Sequence, residues 1–285
     1  RAIPPMAAAA NSCPESSKES PELREIWRNK LKCYYSASSI TNRFSTSSGT
    51  LQLTDYNELA LWLTANTFEH NMPPWLTNFE SISHLRLFNP ATSAAVNKFL
   101  LGLLNQNNPV DIHTNHPTSF SDTNQNPEKH HIFPTAYLNS IIDPGNLMEE
   151  KDLKSHRMNI YKSDSMLNRM IISQETNNQV ISDLQPSVYL SRLVENGLNV
   201  NTLKDRLSRA YINGTAYNHL MEDNYDQFIL ARSNHLLQVI NGIAGKNLVV
   251  YTEAENEDGE PAEGEVDFDE QALEYIEHLG DSSSD

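Results

Sequence analysis

Cysteine is scarce: Cys13 and Cys33 are the only two in 285 residues. Two thiols cannot build a disulfide scaffold or a cysteine zinc cluster, and the natural setting for such a chain is reducing and cytoplasmic. Long apolar runs are missing as well. No stretch approaches the roughly 20 residues that a membrane span requires, and the N-terminus lacks the charged-then-apolar order of a signal peptide. Internal repeats and long basic runs are also absent. The chain is nevertheless long enough to bury a sizeable core in one or two domains. It begins with Arg1, which reads as the start of a fragment with an upstream domain missing.

The net charge of −16 at first argues against a nucleic-acid partner. Its location removes that objection. Residues 251–285 hold fourteen Asp or Glu and no Lys or Arg, so the remainder sets 21 basic residues against 23 acidic ones, a balance of −2. The tail carries the acidity, and its low apolar content predicts disorder, with one short amphipathic helix from Phe268 to Leu279. The rest of the chain is compatible with DNA held by a local basic patch.

Four segments follow from composition: a loosely ordered lead-in over 1–19, a helical subdomain over 20–127, a second segment over 128–250, and the acidic tail. The Ala7 to Ala10 run reads as the end of a core helix. Ser20-Pro21-Glu22 is a helix start, with a cap, a proline at the first position and an acid beside the positive end. Leu23, Ile26, Trp27, Leu31 and Tyr34 form its inward stripe. A Ser/Thr-rich loop is expected over 36–50. Thr54 then caps a second helix with Leu59, Trp62 and Leu63 inward, and Asn89-Pro90 opens a third through Val96, Phe99, Leu100 and Leu103. Residues 105–127 read as loop. Further helices are expected over Thr135 to Ile142, Pro186 to Val194, Thr202 to Tyr211 and Tyr225 to Ile243, with a turn at Asp143-Pro144-Gly145-Asn146. The tryptophans Trp27, Trp62 and Trp75 are most simply core.

The chemistry concentrates between 128 and 180. Lys129-His130-His131-Ile132-Phe133-Pro134 sets two histidines before a short apolar strand that Pro134 ends. A second strand, Met170 to Ile172, follows after a long insertion. Ser173 caps the helix that opens there, and Asn177 falls at its fourth position. The order is strand, hairpin, strand, helix. Alternate strand residues point to opposite faces, so both histidines can serve one site only where the strand ends or bends.

This segment resembles the ββα-metal (HNH) nuclease motif. More narrowly, His-His-Ile-Phe-Pro (130–134) and Gln-Pro-Ser-Val-Tyr-Leu (185–190) resemble the C-terminal nuclease half of GmrSD-type modification-dependent restriction proteins, in which a ParB-like NTPase domain precedes the nuclease. The resemblance covers roughly 20–245 and is specific over 128–190. It implies a mainly α fold with an embedded small ββα hairpin–helix motif. It also implies a metal-dependent DNA endonuclease of prokaryotic anti-phage restriction, akin to GmrSD or to phosphorothioate-linked Ssp-type defence. His130 and Asn177 would hold a divalent ion, Mg2+ or Mn2+. His131 would be the general base, and Asn168 would brace the loop. DNA, modified or from phage, and the absent NTPase or sensor domain are the partners implied. Relatives usually carry Arg or Lys straight after the last ligand, whereas this chain reads Asn178-Gln179.

Hydrolysis of a phosphodiester needs an activated water and a charge sink for the leaving oxygen. Histidine titrates in the right range for the first, and a hard divalent cation supplies the second. Arg169, Lys151, Lys154, Arg157 and Lys162 are the candidate phosphate contacts; mixed charge on a surface loop is their bland reading. A His-His pair by itself is more simply one buried and one solvated histidine. His113 and His116, three apart, could be a second metal pair but read as solvated loop residues, and Glu128 and Lys129 read as solvated charges beside the site. The rival to an enzyme is a catalytically inactive DNA- or protein-binding module with an acidic regulatory tail.

The tail is either a solubiliser, the plainer reading, or a tethered DNA mimic that competes for the cleft. Truncation after Val250 distinguishes them. The mimic requires tighter DNA binding at low salt, with the gain shrinking as salt screens both contacts. Equal binding by the truncated and full-length chains leaves only a solubiliser.

Overall fold

Several helices in this chain begin where a side-chain oxygen takes one of the first free N–H groups. The computed structural model describes residues 3–40, 43–44, 48–77, 94–119, 127–159 and 163–243, all within one compact unit. In chain order they form α1 (Ile3–Ser12), a 3-10 turn (Glu15–Lys18), α2 (Pro21–Ile40), α3 (Ser48–Thr64), α4 (Pro74–Thr77) and α5 (Ala94–Gln106). Strand β1 (Pro127–His131), α6 (Thr135–Ile142), α7 (Glu150–Asn159), a 3-10 turn (Met166–Asn168) and β2 (Arg169–Ser173) follow. Then come α8 (Gln174–Thr176), a π-helical turn (Asn177–Ile181), α9 (Pro186–Glu195), α10 (Val200–Ser208), α11 (Gly214–Met221) and α12 (Tyr225–Ile243). The fold is mainly helical, with one small two-stranded antiparallel sheet among the described residues. No described helix is long and apolar enough to cross a membrane.

Ser20 caps α2 through Leu23 N (3.1 Å), and Asn224 caps α12 through Gln227 N (3.3 Å). Several expected boundaries move. Residues 3–12, expected to be loosely ordered, form α1, which buries Ala9 against Leu59 and Trp62 of α3. The loop expected over 36–50 is helical to Ile40, because Ala37 and Ile40 are buried and Ser38 Oγ bonds back to Tyr35 O (3.1 Å). Thr54 does not cap α3, which starts at Ser48; its hydroxyl instead donates to Thr50 O within the helix (3.2 Å). On α2 only Tyr34 of the expected stripe is fully buried, and Lys30 is buried with it. Asn199 starts α10 earlier than expected, accepting from Asn201 N (2.9 Å) and Thr202 N (3.4 Å). Helices α7 and α11 fall where the sequence reading placed no element. The expected start at Asn89-Pro90, Lys162 and the acidic tail lie outside the described residues.

Two apolar clusters organise the unit. The first gathers Ala9, Tyr34, Leu59, Trp62 and Leu76 from α1 to α4. The second joins α5 and α9–α12 to the sheet through Phe99, Ile132, Phe133, Ile172, Tyr189 and Phe228. Phe133 sits edge-on to Tyr225, with ring centroids 5.1 Å apart and planes at 77°. Tyr189, in the 185–190 motif, reaches from α9 to donate its hydroxyl to Ile132 O (3.0 Å).

That bond ties α9 to the residue after His131. Tyr189→Phe keeps the ring but orphans a buried carbonyl, so it should lower unfolding free energy by about 1–2 kcal/mol. Urea denaturation checks it, and an unchanged midpoint contradicts it.

Candidate active site

β1 stops at His131, which lies opposite Arg169 on β2, while His130 lies opposite Met170. The strand therefore leads up to the histidines and ends on them, rather than starting from them as the apolar Ile-Phe pair suggests. Ile132 and Phe133 leave the sheet into the core, and Pro134 precedes α6.

Asn168 holds this junction. Its fully buried side chain accepts from Phe133 N (2.9 Å) and donates to Phe133 O (3.1 Å) and Ser163 O (3.0 Å). Its own carbonyl accepts from Ile132 N (2.9 Å). Every polar atom of the amide is engaged, as a buried amide requires. Arg232 of α12 donates to Leu167 O one residue before (2.5 Å) and to Ala210 O (2.7 Å).

Each histidine meets a carboxylate. His130 Nε2 is 2.7 Å from Glu128 Oε2, and His131 Nε2 is 2.9 Å from Asp164 Oδ1. Arg169 also reaches Asp164 Oδ1 (3.0 Å) and donates to Lys129 O (3.2 Å). Burial and the nearby Arg169 charge push the His131 pKa below the ordinary value, against the pull of Asp164. Burial pushes Asp164 up, but the His131 hydrogen bond and the Arg169 charge outweigh it and hold the carboxyl below its usual range. A neutral ring beside an ionised acid is a sound state for a base near neutral pH.

Asn177 follows β2 through a built helix start. Ser173 Oγ accepts from Thr176 N (3.1 Å), the cap that the sequence predicts. The helix widens into a π-helical turn at Asn177 and ends on Ser182, whose φ of 47° and ψ of −124° are strained for a residue with a Cβ. The Asn177 side chain makes no hydrogen bond to a described residue. A free amide oxygen is a donor that suits Mg2+ or Mn2+, with water and phosphate completing the shell, whereas an imidazole is the more borderline donor, shared with Zn2+ or Ni2+. Among the described residues no three His, Cys, Asp or Glu side chains form a metal group, and a His–Asn pair does not need one.

Asp111 is the residue the sequence hid. It is fully buried, and its carboxylate accepts from Ser173 N (2.9 Å), Ser173 Oγ (2.7 Å) and Thr176 Oγ1 (2.7 Å) at the start of α8. It also accepts from His113 N (3.0 Å) and Thr114 N (2.9 Å) of its own loop. Thr118 fastens the same loop to β2 through Ile171 O (3.1 Å). His113 and His116 are exposed on this loop. An acid two residues before a histidine is a faint signal, and neither Asp111 nor Asp164 had a periodic partner to reveal it.

The candidate phosphate contacts divide. Lys151 and Lys154 on α7 are exposed. Arg157 donates to Asn139 Oδ1 (2.5 Å), and Arg169 turns inward to Asp164. Trp62 is fully buried, and Trp27 and Trp75 pack against the first cluster.

No family model matches the chain, and no solved structure matches it. The chain is similar to an uncharacterized protein of Methanocaldococcus jannaschii, 23% identical over 235 residues, or 74% of this chain and 37% of that relative. It thus spans well under half the relative's length.

Asp111→Asn keeps the shape and removes the charge, placing an amide N–H2 among five donors. It should cost at least about 3 kcal/mol of stability. Burial pushes the Asp111 pKa up, but hydrogen bonds from Thr176, Thr114 and Ser173 outweigh it and hold the value low. Its stabilisation is therefore present above the unfolded carboxylate value of about 4 and is lost as pH falls through the lower folded value. The variant should accordingly lose less stability than the parent on acidification below about pH 4. Parallel pH–stability curves contradict this.

Proposed function

We propose that this chain is a divalent-metal-dependent DNA endonuclease of the ββα-metal (HNH) kind, acting in prokaryotic restriction of modified or phage DNA. The observation that carries the reading is the Asn168 clasp. A buried asparagine at the head of β2 holds the two residues that follow an adjacent histidine pair at the end of β1. A capped helix start then presents Asn177. Sensing of the DNA modification and any NTP dependence fall to an upstream domain in this reading.

His131 accepts the proton of the water that attacks phosphorus, as the bond to the 3′-oxygen breaks. Its neutral state leaves a ring nitrogen able to take that proton. His130 and Asn177 would hold a Mg2+ or Mn2+ ion, which would supply positive charge for the phosphate and the departing oxygen. Arg169 holds Asp164 in place beside His131. Among the described residues of the insertion, exposed Lys151 and Lys154 are cations suited to the DNA backbone.

A second reading, an inactive DNA- or partner-binding module, is favoured by one feature. Arg169 is engaged inward, and Asn178 and Gln179, exposed after Asn177, offer phosphate no charge. Supercoiled plasmid with Mg2+ or Mn2+ separates the two. The nuclease nicks it, and His131→Ala lowers the rate about 10²- to 10⁴-fold with the fold intact. Asn177→Ala also loses activity but regains part of it at higher Mn2+. Parent-like cutting by His131→Ala refutes the base, and no nicking by the parent leaves the binding module.

A further inference from the structure

His130 and His131 stand side by side at the end of β1, and each ring meets its own carboxylate through the same atom, Nε2. We propose that Glu128 and Asp164 are paired positioning residues, each fixing its histidine as the Nε2–H tautomer so that both rings present Nδ1 as the free lone pair. An ionised carboxylate only accepts hydrogen bonds, and a neutral imidazole carries one N–H. A ring that donates from Nε2 to a carboxylate therefore has its lone pair on Nδ1. The partner of each ring, more than its own position, decides which nitrogen is available.

The two acids reach their rings by different routes. Glu128 lies two residues before His130, on the same face of β1, so strand alternation alone brings them together. Its distance of 2.7 Å is that of a charge-assisted bond. Asp164 arrives from 33 positions away, at the end of the insertion, and one oxygen, Oδ1, accepts from both His131 and Arg169. Arg169 lies opposite His131 across the sheet, so the register of β1 on β2 places the histidine, the acid and the arginine together. Asp164 is thereby anchored twice, whereas Glu128 is held by His130 alone among the described contacts. The insertion between the strands thus delivers one of the two acids.

The inference rests on the nuclease reading for the use of each Nδ1: on His130 to bind the ion, on His131 to take the proton. Metal-binding histidines commonly donate their other N–H to a carboxylate, which fixes the tautomer and raises ligand basicity. The same device on His131 gives the base one orientation and one protonatable atom. The tautomers themselves follow from the hydrogen bonds and stand without that reading.

The test uses the full chain with 15N-labelled histidine, metal-free, at about pH 8 where an ordinary histidine is neutral. Long-range 15N–1H spectra should show both rings as Nε2–H tautomers, with two slowly exchanging Hε2 protons. Glu128→Ala should remove the His130 proton alone, and Asp164→Ala the His131 proton alone. Glu128→Ala should also weaken Mn2+ binding, read by water-proton relaxation, by about 10- to 100-fold. Asp164→Ala should leave Mn2+ affinity unchanged and lower only the nicking rate at saturating metal. Either ring found as Nδ1–H in the parent, or as a rapidly exchanging mixture, overturns the proposal without recourse to any variant. A parent with both predicted protons that never nicks DNA leaves the pairing intact and refutes the nuclease reading instead.

Discussion

The Asn168 side chain, sealed from solvent, clasps Phe133 by both its N–H and its carbonyl and reaches Ser163 with its remaining hydrogen. One amide at the head of β2 thereby fixes Phe133, just before the long insertion, and Ser163, near its end. Without it, β1 and β2 would still pair, but the turn after His131 would lose its template. Neighbouring bonds serve the same end. Tyr189 takes Ile132 O, and Arg232 takes Leu167 O from the far side of the core. Arg232 is fully buried with no acid paired to it among the described residues, and burial lowers its pKa to about 9. A cation so placed is costly on its own. Two carbonyls offset that cost, and one of them belongs to the residue before Asn168.

The N-terminal helices show the same economy of buried charge. Lys30 crosses from α2 to the end of α3, where its ammonium donates to Trp62 O (2.6 Å) and Ala65 O (2.7 Å). Trp62 O, which also accepts from Ala65 N (3.1 Å), lies in the last turn of α3 and Ala65 just beyond it, at a helix C-terminus where a cation is favoured. Burial lowers the Lys30 pKa to about 8. Asp55, also buried, is chelated by Arg43 and capped by the Tyr34 hydroxyl (2.7 Å). These contacts fasten α2 and the segment after it to α3.

What the sequence disclosed was local. Ser20, Ser173 and the Tyr225 helix could be read because a cap lies three residues from the N–H it serves, and helical spacing lies within one segment. The order strand, strand, capped helix and the position of Asn177 after its cap were legible for the same reason, whereas the bracing place of Asn168 was implied only by the resemblance to the ββα-metal motif. Asp164 and Asp111 were not. Asp164 meets its histidine across 33 residues, and Asp111 meets Ser173 across 62, separations at which no periodicity survives. Burial of Lys30 depends on a helix end that lies 32 residues away. The strand boundary failed for another reason: Ile132 and Phe133 are apolar because the helical core takes them, not because they lie in the sheet.

The central claim is that His130 and Asn177 share one divalent ion while His131 beside them stays free to act as a base. Paramagnetic broadening by Mn2+ reads this directly in the folded chain. At substoichiometric Mn2+, the His130 ring and the Asn177 side-chain amide should broaden first and together, and Asn177→Ala should abolish the effect at low Mn2+. Broadening that centres on the His113–His116 loop, or that spares Asn177, would contradict the account.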